Sequence, residues 1–187
     1  IDYSTASDST KFQWIEYHKW KFDTKWYQQL AKNLVIQAKV QFGFLGSYNK
    51  DVESPFERFY VGGDGLSGFG LDGREIVALR GYKNNSLSAQ EGSTIFAKYN
   101  FELRYRISAN PSATIFVLGF LEAGDAWSSF KEFSPFNVKK SAGVGLRLFL
   151  PMFGLLGIDY GWRFDDVPNE GQNAGEGEFH FSIGQQF

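Results

Sequence analysis

Residues 34–44 have the sequence Leu34-Val35-Ile36-Gln37-Ala38-Lys39-Val40-Gln41-Phe42-Gly43-Phe44. Every second residue is apolar, and from Gln37 to Gly43 the residues between them are polar or glycine. Because successive side chains of a β-strand point to opposite faces, this pattern predicts a strand with one apolar face. The opposite face is expected to meet water or a polar interior. The fold class follows from this segment, because the same alternation returns along most of the chain.

The period of two recurs on both sides of this segment, and about seven strands are predicted. In the first strand, the apolar face is interrupted by Glu16 and His18. The predicted strands cover residues 11–30, 34–44, 94–107, 115–127, 141–150, 156–165 and 179–187.

The connections between these strands alternate in length. Short turns are predicted at 28–33, 108–112 and 151–154, and long loops at 49–92, 128–138 and 166–177. Outer-membrane barrels have short periplasmic turns and longer extracellular loops. A soluble β-sandwich could alternate similarly, but its two ends have no reason to differ so regularly. We therefore expect an all-β, antiparallel transmembrane β-barrel whose chain ends in the periplasm.

The composition agrees with a membrane barrel. Aromatic residues make up 18% of the chain, yet the mean hydropathy is only −0.30, as expected when lipid-facing and lumen-facing residues alternate. No apolar run of about 18 residues occurs, which argues against a transmembrane helix. Closed bacterial barrels have an even number of strands, and an open sheet edge in lipid is costly. Seven strands therefore predict a part of a larger barrel.

The charge and the reactive side chains exclude several classes of protein. A net charge of −2 gives no basic footprint for nucleic acid. The chain has no cysteine and only two histidines, so neither a disulfide nor a metal site is expected. No cofactor and no enzymatic activity are expected. The opening residues Ile1-Asp2-Tyr3-Ser4 lack the features of a signal peptide, so the N-terminus is expected to be mature or cut from a longer chain.

The loop 49–92 is glycine-rich and contains Leu79-Arg80-Gly81-Tyr82. A loop of about 40 residues in a compact β-protein needs a functional reason, although a mobile surface loop remains an alternative. Glu102 and Glu122 lie on the polar faces of their strands, so both carboxylates are expected to point into the lumen. They could be solvated lumen residues, or a carboxylate pair of the glycosidase type, which nothing else supports.

Three segments resemble the BamA family, the central barrel proteins of outer-membrane β-barrel assembly. Phe56-Glu57-Arg58-Phe59-Tyr60-Val61-Gly62-Gly63 with Leu79-Arg80-Gly81-Tyr82 is similar to the family's Gly-Gly and V-R-G-F/Y elements in the sixth extracellular loop. Phe120-Leu121-Glu122-Ala123-Gly124-Asp125-Ala126-Trp127 resembles its F-x-D-x-G-x-x-W strand end, and residues 178–187 resemble its terminal strand with a closing aromatic residue. The order and placement of the three motifs make the resemblance specific. The resemblance runs from about residue 34 to the end.

The sequence departs from the family in three places. About 15 residues separate Gly63 from Leu79, leucine stands at Leu79 where valine is usual, and glutamate stands at Glu122 in place of aspartate. The longer loop suggests a Bacteroidetes-like lineage.

The resemblance implies that residues 1–187 are the C-terminal part of one larger barrel domain, which has 16 strands in all. The 49–92 loop would be folded into the lumen of this barrel. N-terminal strands and periplasmic POTRA domains would belong to the whole protein and are absent from this chain. Its site would be a loop lock in which Arg80 meets Glu102 and Glu122, with Gly81 and Tyr82 next to it in the loop. The last strand would be a gate strand, comprising Phe179, Phe181, Ile183, Gly184 and Phe187. Gly184 could weaken this strand locally, or could be an ordinary glycine.

The implied function is to fold and insert β-barrel proteins through a seam between the first and last strands of an outer-membrane protein. Nascent outer-membrane proteins, periplasmic or lipoprotein subunits of an assembly complex, and the lipid bilayer would be its partners. Two alternatives are a two-partner secretion or related transporter, and a passive porin. Trp26, Tyr27, Trp127 and Trp162 are candidate interfacial anchors.

Overall fold

The computed structural model describes residue 7 and residues 16–48, 54–65, 74–110, 113–152 and 154–184. Its main element is a seven-stranded sheet in which every neighbouring pair of strands is antiparallel. In chain order the strands are β1 (Tyr17–Ala31), β2 (Leu34–Ser47), β3 (Phe59–Val61), β4 (Glu75–Val77), β5 (Ile95–Asn110), β6 (Ala113–Trp127), β7 (Lys139–Leu150), β8 (Gly154–Arg163) and β9 (Gly177–Ile183). The order in the main sheet is β1-β2-β5-β6-β7-β8-β9.

Several boundaries differ from the predicted ones. β1 continues to Ala31 and β5 to Asn110, so the turns predicted at 28–33 and 108–112 are shorter than expected. In both places cross-strand pairing extends the strand into residues whose polar composition had suggested a turn. The predicted start of the first strand, at 11–15, lies outside the described residues.

The loop 49–92 contains its own short sheet, which the sequence analysis did not predict. β3 and β4 pair in parallel, with Tyr60 opposite Ile76. In the loop 166–177, Pro168–Glu170 forms a 3₁₀ turn. No helix in the described part of the chain has the length and apolarity needed to cross a bilayer.

The two faces of the main sheet have opposite character. The inward face carries a row of polar residues that are nonetheless buried: Gln37, Lys39, Lys98, Asn100, Glu102, Glu122, Ser141, Arg147, Asp159, Arg163, His180 and Ser182. The outward face carries exposed apolar residues, among them Phe101, Leu103, Tyr105, Leu121, Val144, Leu146, Ile158, Phe179, Phe181 and Ile183. A soluble domain would bury the second set. This inversion is what a wall between lipid and a polar lumen requires.

The long loop covers part of the polar face. Phe59 and Val61 of β3 pack in one apolar cluster with Leu79, Tyr82 and Phe96. The rings of Phe59 and Phe96 lie 4.7 Å apart. Because Phe96 belongs to the inward face of β5, this cluster holds the loop against that face of the sheet.

Candidate functional site

The backbone of the long loop delivers Arg80 to the inward face. Leu79 and Gly63 exchange two backbone hydrogen bonds, of 3.0 and 3.1 Å, directly before Arg80. Leu79 is fully buried. This bridge anchors the chain on one side of Arg80, so the guanidinium group projects toward β5 and β6.

Arg80 contacts two carboxylates. Its Nη2 lies 2.6 Å from Glu102 Oε1 and 2.9 Å from Glu122 Oε1. The backbone N–H of Arg80 donates a further hydrogen bond of 2.7 Å to Glu122 Oε2. The register explains how the acids converge, because Glu102 pairs with Phe120 and Glu122 with Asn100, which makes the carboxylates diagonal neighbours on one face. The guanidinium also lies 3.6 Å from the ring centroid of Phe120.

Other charged groups surround this contact. Lys98 Nζ lies 3.2 Å from Glu122 Oε1, and Arg104 Nη2 lies 2.6 Å from Glu102 Oε2. Asp159 Oδ1 lies 3.4 Å from Arg80 Nη1. Burial disfavours the charged guanidinium, but the neighbouring carboxylates outweigh it and hold the pKa of Arg80 above its usual value. The site is therefore a buried ionic network rather than one salt bridge.

Gly81 is held by the last two strands. Its N–H donates a hydrogen bond of 2.7 Å to Nε2 of His180 in β9, and its carbonyl accepts one of 2.8 Å from Nε of Arg163 in β8. Gly81 has a φ of 91°, and a Cβ there would lie 2.9 Å from Cβ of Ser141. Gly161 faces it so closely that a Cβ on Gly161 would lie 2.7 Å from N of Gly81. Two glycines thus allow the loop backbone to touch the wall.

Tyr82 continues the contact along the wall. It is fully buried, and its hydroxyl donates a hydrogen bond of 2.7 Å to the carbonyl oxygen of Lys140. The next residue, Lys83, donates its N–H to Oε1 of Gln172. Residues 80–82 therefore contact every strand from β5 to β9. Arg80 contacts β5, β6 and β8, Gly81 contacts β8 and β9, and Tyr82 contacts β7.

The predicted gate strand, β9, is one of the two edge strands of the described sheet. Phe179, Phe181 and Ile183 point outward and are 67%, 53% and 63% exposed. β9 ends at Ile183, and Gly184 takes a φ of 68°, in the left-handed region. Phe187 lies outside the described residues.

Of the five predicted residues of the loop lock, Arg80 contacts Glu102 and Glu122. Gly81 and Tyr82 instead contact β7, β8 and β9. The structure also adds residues that the sequence analysis did not select. Arg147 makes two hydrogen bonds of 2.8 Å to Asp159, and Arg163 contacts Glu176 and Glu178 at 2.7 and 2.9 Å. For Arg147, Asp159 and Arg163, the position on the polar face of a predicted strand was a usable signal. Their pairing depends on the register between strands, which the sequence alone does not give.

Among the described residues, no group of three or more histidine, aspartate or glutamate side chains could hold a metal ion. The acids at the centre of the site are instead paired with arginine and lysine.

Comparisons with known proteins agree with this architecture. A model of the Omp85 superfamily domain matches residues 4–187. Among solved structures, BamA from Haemophilus ducreyi lacking POTRA domains 1-3 is similar with a TM-score of 0.64 and 18% identity, over 89% of this chain and 34% of that chain. The chain thus spans about a third of that structure, and the predicted barrel-fragment fold is confirmed. No curated protein matches the sequence.

Proposed function

Since the chain belongs to the Omp85 superfamily, we propose that it is the C-terminal part of an outer-membrane protein that folds and inserts β-barrel proteins. Residues 1–187 form part of one barrel domain in this proposal, and further strands and POTRA domains belong to the whole protein. The work is noncovalent. Strands of a nascent outer-membrane protein pair with the exposed edge of β9 and are then released laterally into the bilayer.

One observation carries the proposal: the loop lock contacts the strand that forms the edge. Arg80 is held by Glu102 and Glu122, and the adjacent Gly81 donates its N–H to His180 of β9. A passive pore has no need for a buried ionic network that fastens a loop to its last strand. In an insertion protein, the same network can hold the wall in place while its edge exchanges partners.

The shape of the edge strand supports this use. In the described part of the chain β9 has seven residues, whereas β5 has 16 and β6 has 15. A short strand offers few backbone hydrogen bonds, and directly after it Gly184 takes a φ of 68°, in the left-handed region. The seam between the first and last strands would therefore be easier to open than the pairs inside the sheet.

Two other functions are alternatives to insertion. A two-partner secretion protein or related transporter would keep the loop lock but pass its substrate through the lumen. A passive porin would conduct ions, and Arg80→Ala would leave its conductance unchanged.

Nascent outer-membrane proteins and periplasmic or lipoprotein subunits are the partners of the insertion function. The long loop favours a Bacteroidetes-like source.

A charge-swap series in the full-length protein tests the loop lock and the insertion function together. Arg80→Glu places a third carboxylate beside Glu102 and Glu122, so it is expected to abolish insertion of a test barrel into membranes. Adding Glu122→Arg, or separately Glu102→Arg, should restore part of the activity. Arg106→Glu, on an exposed arginine of β5, is the matched control. Full activity of Arg80→Glu would contradict the role of the lock.

A further inference from the structure

The loop between β6 and β7, residues 128–138, carries three phenylalanines: Phe130, Phe133 and Phe136. The ring of Phe133 lies 5.0 Å from Trp127 and 5.7 Å from Phe44. Phe130 stacks on Phe44 at 5.6 Å with an interplanar angle of 4°. Phe44 and Trp127 belong to the outward faces of β2 and β6. The loop therefore folds over the outside of the wall, away from the lumen.

The burial of β5 supports this placement. Ile95 pairs with Phe44 on one side and with Trp127 on the other. It is fully buried, although Phe101 and Leu103 on the same outward face are each 41% exposed. The aromatic rings that meet Phe44 and Trp127 explain this local cover. Phe130 and Phe136 themselves remain 65% and 87% exposed.

The exposed rings lie at a definite height on the wall. The pair Ile95–Trp127 lies at the end of β5 and β6 that carries the long loops, ten residues along the strands from the pair Tyr105–Val117. At about 3.3 Å per residue and a strand tilt of about 40°, this corresponds to about 25 Å along the barrel axis. The apolar band of an outer-membrane barrel has about the same height. All outward residues of β5 between these two pairs are apolar, so the loop lies at one end of the apolar band, where aromatic side chains meet lipid headgroups.

We propose that residues 128–138 form an aromatic anchor that inserts Phe130 and Phe136 into the interfacial layer of the outer leaflet. The occupant is lipid because the patch is continuous with the outward apolar face of the sheet. Lys131 and Glu132 lie between the rings, and their opposite charges sum to zero. They therefore give the patch no net charge with which to bind a polar partner. The proposal depends on membership of a membrane-barrel family and not on the insertion function.

Fluorescence quenching in lipid vesicles tests the anchor. This chain has no cysteine, so Phe136→Cys and, as a control, Asn169→Cys each provide one label site in it, once any cysteine elsewhere in the full-length protein is replaced. Asn169 is exposed in the polar 166–177 loop at the same end of the barrel. Each variant of the full-length protein is labelled with an environment-sensitive dye and reconstituted into phosphatidylcholine vesicles. Nitroxide lipids then report contact with the bilayer, and iodide reports contact with water.

The label at residue 136 is expected to be quenched several-fold more by nitroxide near the head of the acyl chain than the label at residue 169. Iodide should show the opposite order. Equal iodide quenching at both sites would overturn the proposal, because the loop would then face water. Protection of residue 136 from both quenchers would also overturn it, because the loop would then be covered by protein. Phe130→Cys repeats the test and guards against local misfolding of one variant.

Discussion

Gly81 shows how closely a single residue controls the site. It combines a φ of 91° with a wall contact that leaves no room for a Cβ, which would lie 2.9 Å from Cβ of Ser141. Gly81→Ala is expected to cost about 1–3 kcal/mol in backbone strain alone, and the contact with the wall adds to it. The docked loop should loosen, which hydrogen exchange of residues 79–83 in the full-length protein would detect as faster exchange.

A matched variant separates strain from the close contact. Gly154 also has a positive φ, of 79°, but a Cβ there would meet nothing within 4 Å. Gly154→Ala should therefore leave exchange of the loop unchanged. Equal exchange rates in the wild type and in Gly81→Ala would mean that the loop does not depend on this contact.

Some residues of the site could be predicted from the sequence and others could not. Glu102 and Glu122 could be predicted because alternation assigns each to the polar face of its strand. Arg80 could be predicted because it stands in an unusually long loop and in a family motif. His180 lies on the polar face of its strand, as Ser182 does. Its contact with Gly81, however, joins residues 99 positions apart. Such a contact is set by the curvature of the sheet and the path of the loop, which composition does not encode.

At the level of elements, His180 joins β9 to the loop. His180→Leu removes the acceptor for the buried N–H of Gly81, which should cost about 1–3 kcal/mol. Residues 178–182 and 79–83 are expected to exchange hydrogen faster together, while the β5–β6 pair stays protected. His180→Gln keeps an acceptor and should have a smaller effect. Ser182→Ala, at the next inward position of β9, is the control. Faster exchange in only one of the two segments would contradict the coupling.

A second ionic contact fastens the loop to β1. Glu75 of β4 lies 2.6 Å from both Lys19 and Lys21, and Lys19 also lies 2.7 Å from Glu57. Burial alone would raise the pKa of Glu75, but the two lysines outweigh it and lower that pKa. The contact should therefore stabilise the fold above the ordinary carboxylate range and lose its effect as the pH falls below it.

This pH dependence can be measured against Glu75→Gln. At neutral pH the variant is expected to be less stable by about 1 kcal/mol, the usual scale for partly exposed ion pairs. The difference in unfolding temperature between wild type and variant should shrink as the pH falls below the carboxylate range. A difference that stays constant down to low pH would show that the charge of Glu75 contributes nothing.

The elements differ in how far the sequence determines them. The long strands were predictable because alternation continues over ten or more residues, as in β2 and β5. β3 and β4 have three residues each, too few for a period of two to appear. They form because the loop is held against Phe96 and the polar wall. Tertiary contact therefore creates the small sheet, and its local sequence does not.

At the scale of the whole molecule, the sheet is a wall with an apolar outside and a buried ionic inside. Its membrane character could be predicted from the regular difference between short turns and long loops. The depth of the loop in the lumen could not, because it depends on glycine contacts such as that between Gly81 and Gly161. The free edges at β1 and β9 agree with a segment of a larger barrel.

Photo-crosslinking along β9 tests the central claim most directly. Photoreactive residues would replace Phe179, Phe181 and Ile183, and for comparison Gln41 on the inward face of β2, in the full-length protein during assembly of a test barrel. We predict crosslinks between β9 and the strands of the test barrel, with no crosslink at Gln41. Crosslinks at Gln41 without any along β9 would contradict insertion at the seam and would indicate passage through the lumen.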